Sequence, residues 1–222
     1  MSVSFNANHL QFLLQGAGWT LMLSLIAFVG GGLVGFVVAL CRISPLKPLR
    51  WVSMGYVQLV QGTPLLILMF LAYFGLSILG LTLPAIVAAG LSMTIYVSAY
   101  IGEIWRGCIQ AVPRTQWEAA ECLALSRVQR MALVVLPQAL RIATPPTVGF
   151  MVQIVKNTSL ASVVGFIELA RAGQVVNNSI FEPFLVYMLV AGLYFLLCFP
   201  LSWWSRKLER RLMVVAPRLE TA

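Results

Sequence analysis

Two long stretches without a charged side chain limit what this chain can fold into. Residues 17 to 41 form one apolar run, and residues 51 to 102 form a longer one. A helix that crosses about 30 Å of hydrocarbon needs about 20 apolar residues, so the first run suits one span and the second is too long for one. The sequence is 60% hydrophobic and 10% charged, against roughly 25% charged residues in a soluble domain. Both observations predict an integral membrane protein.

The apolar stretches predict an all-α membrane protein with five transmembrane helices. Pro64, Gly80 and Pro84 punctuate the longer run and divide it into two spans. Lys156 and Asn157 interrupt the fourth apolar stretch, which favours a tilted, broken or protein-lined helix there over a lipid-facing one. The spans are predicted near residues 17–41, 52–78, 84–103, 139–164 and 183–205.

The basic residues predict how this domain is oriented. Thirteen of the 15 Lys and Arg residues follow the first span, lie between residues 106 and 141, or follow the fifth span. Cytoplasmic segments carry an excess of Lys and Arg, so these three segments are predicted to be cytoplasmic. The membrane domain then covers residues 16–211, with an outer tail at 1–15 and a cytoplasmic tail at 212–222. The formal charge of +8 reflects topology and anionic lipid, and nucleic-acid binding is a poor explanation of it.

The connection at residues 106–138 contains a polar segment that runs from Thr115 to Pro137. Thr115 with Glu118, and Ser126 with Gln129, each have the spacing of a capping box, in which two side chains satisfy two free backbone N–H groups. Pro137 is expected to end or kink the second short helix, because proline lacks an N–H and clashes with the preceding turn. The pattern predicts a compact helix-turn-helix between the third and fourth spans.

This segment has two blander interpretations. It is either a polar connector in which Glu118 only caps a helix, or a DNA-binding helix-turn-helix with Arg127 and Arg130 on its second helix. The second interpretation is disfavoured, because a unit tethered between two membrane spans cannot easily enter a major groove. The first stays open on the residues alone.

Six residues of this segment resemble the cytoplasmic EAA loop of permease subunits in bacterial ABC importers. They are Glu118, Ala119, Ala120, Ala124, Leu136 and Pro137. The resemblance implies that these residues couple the permease to an ATPase. Small side chains let a helix approach a partner backbone closely, and Glu118 in the first turn offers a carboxylate to a cation there.

Four further motifs resemble the polar amino acid uptake branch, the histidine, glutamine and glutamate/aspartate permease group. They are QGTPLL at 61–66, AYIGEIWRGCIQAVPRTQWEAA at 99–120, LPQALRIATPP at 136–146 and KNTSL at 156–160. The likeness extends from about Gly16 to Arg211. It implies the transmembrane domain of a type I ABC importer in a bacterial inner membrane, with a cytoplasmic EAA coupling helix.

The resemblance also implies the partners. A second permease subunit, identical or homologous, would complete the path, two ATPase subunits would drive it, and an extracytoplasmic amino acid-binding protein would deliver the substrate. No GxxxxGK[ST] phosphate-binding loop occurs in the sequence, so ATP and Mg²⁺ are expected on the ATPase and no cofactor on this chain. The implied function is a membrane path for glutamate, aspartate, glutamine or a similar amino acid.

The chain departs from the family pattern at three positions. Ala124 replaces the usual Gly, Gln61 the usual Arg and Asn157 the usual Asp. If the turn at Ala124 requires a positive φ, the geometry there is costly for alanine. The other two replacements remove charges near the membrane interior.

Polar side chains within the predicted spans are candidates for the translocation path. A zwitterionic amino acid leaving water needs donors and acceptors, and Gln58 with Gln61, and Gln153 with Asn157, have spacings that share a helix face. The alternative is that these amides join neighbouring helices by hydrogen bonds. The candidates are Gln58, Gln61, Thr63, Gln153, Lys156 and Asn157. Lys156, with no Asp in the chain, favours acidic or neutral substrates over basic ones.

The outer segment between the fourth and fifth spans carries three charged residues that the resemblance places near the binding protein. Glu168, Arg171 and Glu182 are candidates for docking by charge complementarity, and a solvated loop is the alternative.

Two other functions are alternatives to transport. An enzyme is rejected, because His9 is the only histidine and neither a catalytic constellation nor a metal-ligand set appears in the sequence. A non-transporting membrane scaffold or regulatory subunit stays as the alternative.

Overall fold

The computed structural model describes residues 4–213, and within that range every regular element is helical. We number eight helices in chain order. They are α1 (Ala7–Ile43), α2 (Lys47–Gln61), α3 (Leu65–Ile78), α4 (Ala85–Gln110), α5 (Arg114–Cys122), α6 (Arg127–Val164), α7 (Leu169–Ile180) and α8 (Pro183–Met213). The predicted all-α class is confirmed. The end of the predicted C-terminal tail, residues 214–222, lies outside the described residues.

Four helices, α1, α4, α6 and α8, are long and apolar enough to cross a membrane by themselves. The pair α2 and α3 supplies a fifth span if the two are counted together, which is the predicted number. The first helix begins at Ala7, so most of the predicted N-terminal tail is helical. Its N-cap is Asn6, whose side chain accepts a hydrogen bond from the His9 N–H at 3.1 Å.

Helices α1 and α4 pack through glycines at what we call the α1–α4 seam, formed by Gly30, Gly31, Gly35 and Gly102. A Cβ atom on Gly31 would lie 2.3 Å from a Val97 methyl carbon, and one on Gly35 would lie 3.0 Å from the Ser98 carbonyl oxygen. Small residues allow membrane helices to approach until their backbones touch. The seam is therefore sterically closed and fixes these two helices against each other.

The predicted span at 52–78 is formed by two helices with a sharp bend between them. Helices α2 and α3 meet at an angle of 98° across Gly62, Thr63 and Pro64. Pro64 has no N–H and occupies the N-cap of α3 with a ψ of 137°, so the backbone cannot continue the helix through it. Residues Leu71–Gly75 of α3 are π-helical.

Pro137 was predicted to end or kink the helix, and the first of these outcomes is wrong, because α6 continues through this residue. Residues Arg130–Val135 form a π-helical segment, in which the Leu136 N–H bonds to the Met131 carbonyl five residues earlier. The wider turn puts Pro137 at the start of regular α-helix, where its missing N–H is tolerated. The α-helical part runs to Asn157 and continues as a 3₁₀ segment at Thr158–Val164. This change of helix type lies next to Lys156 and Asn157, where a broken helix was predicted.

The segment after α6, which was predicted to lie on the outer side, is also helical, so it is not a solvated loop. Helix α7 buries an apolar face made of Leu169, Ala172, Val176 and Ile180 against α1 and α8. A Cβ atom on Gly16 of α1 would lie 2.8 Å from the Ala172 Cβ. A side chain at Gly16 would therefore have no room, and α7 also packs closely against α1.

Candidate functional site

Helix α5 and the first turns of α6 form the predicted helix-turn-helix, which we call the coupling unit and define as residues 113–137. One of its two predicted caps is confirmed. The Ser126 N–H donates to Gln129 Oε1 at 2.9 Å, and the Gln129 N–H donates to Ser126 Oγ at 3.4 Å. The other is wrong, because Pro113 occupies the N-cap of α5 and Thr115 lies inside the first turn. Proline fixes φ and starts a helix without a side-chain cap.

The turn between the two helices of the coupling unit requires a positive φ at Ala124, where the family usually has glycine. Ala124 has a φ of +54°, a conformation that favours glycine. Its N–H bonds to the Glu121 carbonyl at 2.9 Å, and the Leu125 N–H bonds to the Ala120 carbonyl at 3.2 Å. These two bonds define a Schellman motif, whose left-handed residue is usually glycine. The turn therefore has the glycine geometry, and alanine adopts it at a cost of about 1–2 kcal/mol.

One face of the coupling unit is anchored to the membrane helices. Trp117 packs with Ile109, Val112, Val135 and Ala139 at the junction of α4 and α6. Two polar contacts add to this core. Arg130 forms an ion pair with Glu121 at 3.0 Å, and the Gln138 side-chain amide donates to Gln116 Oε1 at 3.3 Å. The unit is therefore attached to α6 by packing, by charge and by the chain itself.

The opposite face is open. Glu118 and Ala119 are exposed, and Leu123 and Val128 are 74% and 77% exposed. The six residues of the EAA-like pattern divide accordingly. Glu118, Ala119, Ala124 and Pro137 are exposed, Ala120 is buried, and Leu136 packs into the core below Trp117. The sequence analysis did not single out Leu123 and Val128, although two apolar residues in a polar segment indicate a contact surface.

An ion-pair network joins the end of α1 to the end of α4. Glu103 pairs with Arg106 on α4, and Arg42 of α1 also donates to Glu103, with Nε 3.2 Å from Oε2. Arg106 donates in turn to the side chain of Gln110. Glu103 therefore links the ends of α1 and α4 next to the coupling unit.

The predicted translocation residues fall into separate places. Gln153 and Asn157 lie together on α6, where the Gln153 side-chain amide donates to Asn157 Oδ1 at 3.2 Å. Lys156 does not join them, because it lines a different cavity with Tyr194 and Arg206 of α8. Adjacent helical positions point about 100° apart, which separates Lys156 from its neighbour.

The other three candidates lie at the break between α2 and α3. The Gln61 side chain donates to the Ala99 carbonyl of α4 at 3.4 Å, and the Thr63 hydroxyl donates to the Leu59 carbonyl at 2.8 Å. Gln58 is exposed. Within residues 4–213, no hydrogen bond joins this group to Gln153 or Asn157. The Gln61 bond joins two helices, as the packing alternative describes, and the place of Gln58 and Gln61 on the path stays a prediction.

A row of aromatic rings that the sequence reasoning missed lies beside the amides of α6. Tyr96 and Tyr100 of α4 have ring centroids 4.5 Å apart, and Tyr100 stacks on Phe150 of α6 at 5.5 Å. Phe150 precedes Gln153 by three residues and so shares its helix face. All three rings are partly exposed. The spacing of Tyr96 and Tyr100, four residues apart, was the available signal.

The prediction that Glu168 contacts a docking partner is wrong, because its side chain is completely buried. Glu168 is the N-cap of α7 and accepts hydrogen bonds from the N–H groups of Ala170 and Arg171, both at 2.8 Å. The Tyr194 hydroxyl of α8 donates to the same carboxylate at 2.7 Å. Arg171 is partly exposed and donates to Gln174 at 2.6 Å, and Glu182 is exposed.

These features define a class of protein: a helical membrane protein whose long apolar helices are joined by a short polar helix-turn-helix. Residues 31–214 match the family described as "Binding-protein-dependent transport system inner membrane component", and the chain belongs to this family. Within it, the chain is the permease subunit of an amino-acid ABC importer.

Two relatives and one solved structure are similar over nearly the whole chain. The probable glutamine ABC transporter permease protein GlnM of Bacillus subtilis (strain 168) is 38% identical, with 96% of this chain and 98% of the relative covered. The L-cystine transport system permease protein TcyB of the same organism is 35% identical, with 89% and 85% covered. A crystal structure described as an amino acid ABC transporter with histidines has a TM-score of 0.89 and 32% identity, covering 95% of this chain and 100% of the matched chain. The predicted type I importer fold is thereby confirmed.

Proposed function

We propose that this chain forms half of a membrane path for a polar amino acid and couples that path to a separate ATPase through its coupling unit. A second permease subunit, identical or homologous, forms the other half. Two cytoplasmic ATPase subunits bind ATP and Mg²⁺, and an extracytoplasmic binding protein delivers the substrate. Family membership supports the presence of such partners in general.

One observation carries this proposal: the coupling unit is rigidly held on one face and open on the other. Trp117 and the ion pair between Arg130 and Glu121 fix it to α6, while Glu118, Ala119 and Leu123 face outward. A short helix with a small residue and an exposed apolar residue fits a groove on a partner, and Glu118 meets a cation there. A merely solvated connector would need neither the anchored face nor the apolar open one.

Helix α6 provides the route from the ATPase to the substrate path. It is continuous from Arg127 in the coupling unit to Val164, and it carries Phe150, Gln153 and Asn157 on the way. At 1.5 Å per residue, the 30 steps from Arg127 to Asn157 span about 45 Å. A displacement of the coupling unit by the ATPase is therefore passed to the amides through one helical backbone. Alternating access follows when two such helices in a permease pair move together.

The composition of this path favours a neutral polar substrate such as glutamine. Amide and aromatic side chains meet at Gln153, Asn157, Tyr100 and Phe150, and they offer donors and acceptors without net charge. Lys156 lies apart from them, which removes the reason for favouring an acidic substrate. The similarity to a probable glutamine permease agrees with this choice.

The proposed orientation of the chain in the membrane follows from the position of the coupling unit. The coupling unit must lie in the cytosol to reach the ATPase, so α7 faces outward, the N-terminus lies outside and the C-terminal helix ends in the cytoplasm of a bacterial cell. The excess of Lys and Arg on the coupling-unit side supports this direction. Arg171 and Glu182 remain as contacts for the binding protein, since both reach the surface.

The function is tested by ATP-driven uptake into proteoliposomes. The complete transporter would be supplied with labelled glutamine, glutamate, histidine and arginine in turn. Saturable uptake of glutamine is expected. An intact complex that hydrolyses ATP but takes up none of the four would favour a non-transporting scaffold or regulatory subunit.

A pair of charge-reversal variants tests the coupling role. Glu118→Lys reverses a charge on the open face and is expected to abolish uptake without preventing assembly. Glu209→Lys makes the same charge change at an exposed position on α8 and should leave uptake near that of the unmodified protein. Normal uptake by the Glu118→Lys transporter would refute the coupling role.

The path assignment is tested by replacing both amides of α6. Gln153→Ala combined with Asn157→Ala should raise the KM for uptake at unchanged protein level, because the substrate loses hydrogen-bond partners. Asn178→Ala, an exposed amide on α7, is the control. Unchanged uptake in the double variant would assign these amides to helix packing.

A further inference from the structure

A cavity of about 870 Å³ opens where the end of α1, the α1–α2 connection and the coupling unit meet. Three guanidinium groups line it, from Arg42, Arg50 and Arg127, and no carboxylate is among its lining residues. Ser44 and Gln110 add polar side chains. The cavity is therefore a basic chamber at the point where α1 leaves its charge-free stretch.

An apolar groove of about 150 Å³ adjoins this chamber between α1, α4 and α6. The two spaces share Leu40, Ile109 and Leu136 as walls. Phe36 and Trp105 line the groove, and the two rings meet edge to face with centroids 6.3 Å apart. A basic chamber thus leads into a groove lined entirely by apolar side chains and the Trp105 indole.

Two of the three arginines in the chamber, Arg50 and Arg127, are exposed to solvent. Arg42 is paired with Glu103, but Arg50 and Arg127 form no ion pair with any residue in the 4–213 range. Guanidinium groups bind phosphate through two parallel hydrogen bonds and are the preferred side chains for phosphate recognition. The arginines of the chamber are suited to bind an anion, and the apolar groove is suited to bind a hydrocarbon chain.

We propose that this chamber and groove form a binding site for one anionic phospholipid. The phosphate contacts Arg50 and Arg127, and an acyl chain lies in the groove against Phe36, Trp105 and Leu140. Basic pockets between membrane helices are suited to anionic head groups. A soluble phosphate would leave the groove empty, and an acidic loop of another protein would not fill it with hydrocarbon. The lipid would brace the end of α1 against the coupling unit.

The test counts anionic lipid retained by the complete transporter. The complex is reconstituted in mixed phosphatidylcholine and phosphatidylglycerol, extracted in mild detergent, and examined by native mass spectrometry. The double variant Arg50→Gln, Arg127→Gln removes both free charges. A matched double variant, Lys47→Gln with Arg114→Gln, removes two nearby exposed charges that do not line the chamber.

The unmodified complex is expected to retain phosphatidylglycerol, and the double arginine variant about tenfold less, since each cation contributes to anionic-lipid binding. The matched variant should retain as much as the unmodified complex. Equal loss in both variants, or no loss in either, would overturn the proposal. So would an unmodified complex that retains no phosphatidylglycerol, which would indicate that the ATPase covers the chamber.

A groove variant separates a lipid from a free phosphate. Leu140 is 64% exposed, so Leu140→Trp narrows the groove without disturbing a buried core. Reduced retention of phosphatidylglycerol is expected. Unchanged lipid retention, or displacement of the lipid by inorganic phosphate alone, would mean that the site recognises phosphate without the acyl chain and would overturn the lipid assignment.

Discussion

The α1–α4 seam and helix α6 are two regions of one membrane domain with opposite construction. The seam is made of glycines, and a Cβ atom at Gly31 has no room. Helix α6 instead contains a π-helical segment, two internal prolines at Pro145 and Pro146, and a 3₁₀ end. Helices that pack backbone to backbone cannot slide, whereas changes of helix type mark places where a helix bends. We infer that the seam is the fixed part of the permease and α6 the moving part.

The largest effect is expected when the seam is forced open. Gly31→Val should lower the free energy of unfolding by about 3 kcal/mol, because overpacking of a closed contact displaces both helices. The measurement is the thermal midpoint of the purified complex.

Gly32 provides the matched control for this prediction. It is the next residue on the same helix, but nothing lies within 4 Å of its added Cβ. Gly32→Val should change stability by about 0.5 kcal/mol or less. Similar losses at both positions would show that the seam is no tighter than the rest of α1.

A smaller loss is expected at the end of α1 that contacts α7. Glu168 accepts two hydrogen bonds from backbone N–H groups of α7 and a third from Tyr194 of α8, and the Leu169 N–H donates to Thr20 Oγ1 of α1 at 3.2 Å. Glu168→Gln keeps the shape but removes the charge and one acceptor, so a loss of about 1–3 kcal/mol is expected in thermal unfolding.

The exposed Glu182 on the same side is the comparison for Glu168. Glu182→Gln should leave the thermal midpoint unchanged. If Glu168→Gln also left it unchanged and instead weakened the response to the binding protein, then the docking role that its burial contradicts would be restored.

The smallest effect is expected in the moving part and has the opposite sign. Ala124→Gly relieves the positive φ of the coupling-unit turn and should stabilise the protein by about 1 kcal/mol. Ala119→Gly, in the interior of α5, should destabilise it by about 1 kcal/mol. Thermal midpoints of the two variants therefore move apart. A lower midpoint for Ala124→Gly would mean that the turn tolerates alanine without strain.

The sequence predicted the parts of this architecture that depend on local chemistry. The spans follow from apolar run length, which gives five when α2 and α3 are counted together, and the Ser126 cap follows from its spacing to Gln129. Each of these depends on neighbours in the chain. The same reasoning failed at Thr115 because Pro113, two residues earlier, starts the helix first.

The predictions failed where contacts between residues far apart in the sequence determine the structure. Glu168 looked like a surface charge, but Tyr194, 26 residues away, and two backbone N–H groups bury it as a helix cap. Lys156 and Asn157 are adjacent in the chain and separate in the fold, because α8 approaches one face of α6 and α4 another. The pairing of α4 and α6 through Tyr100 and Phe150 cannot be read from either segment alone.

The continuity of α6 also fixes an angular relationship. Pro137 in the coupling unit and Gln153 on the amide face are 16 residues apart on one helix. Each residue turns the helix by about 100°, so the direction of the amides relative to the coupling unit is set by a residue count. A single residue inserted or deleted between them would leave the coupling unit and the amide face intact but would rotate one relative to the other by about 100°. The phase of this helix is thus as much a part of the transporter as the residues it displays.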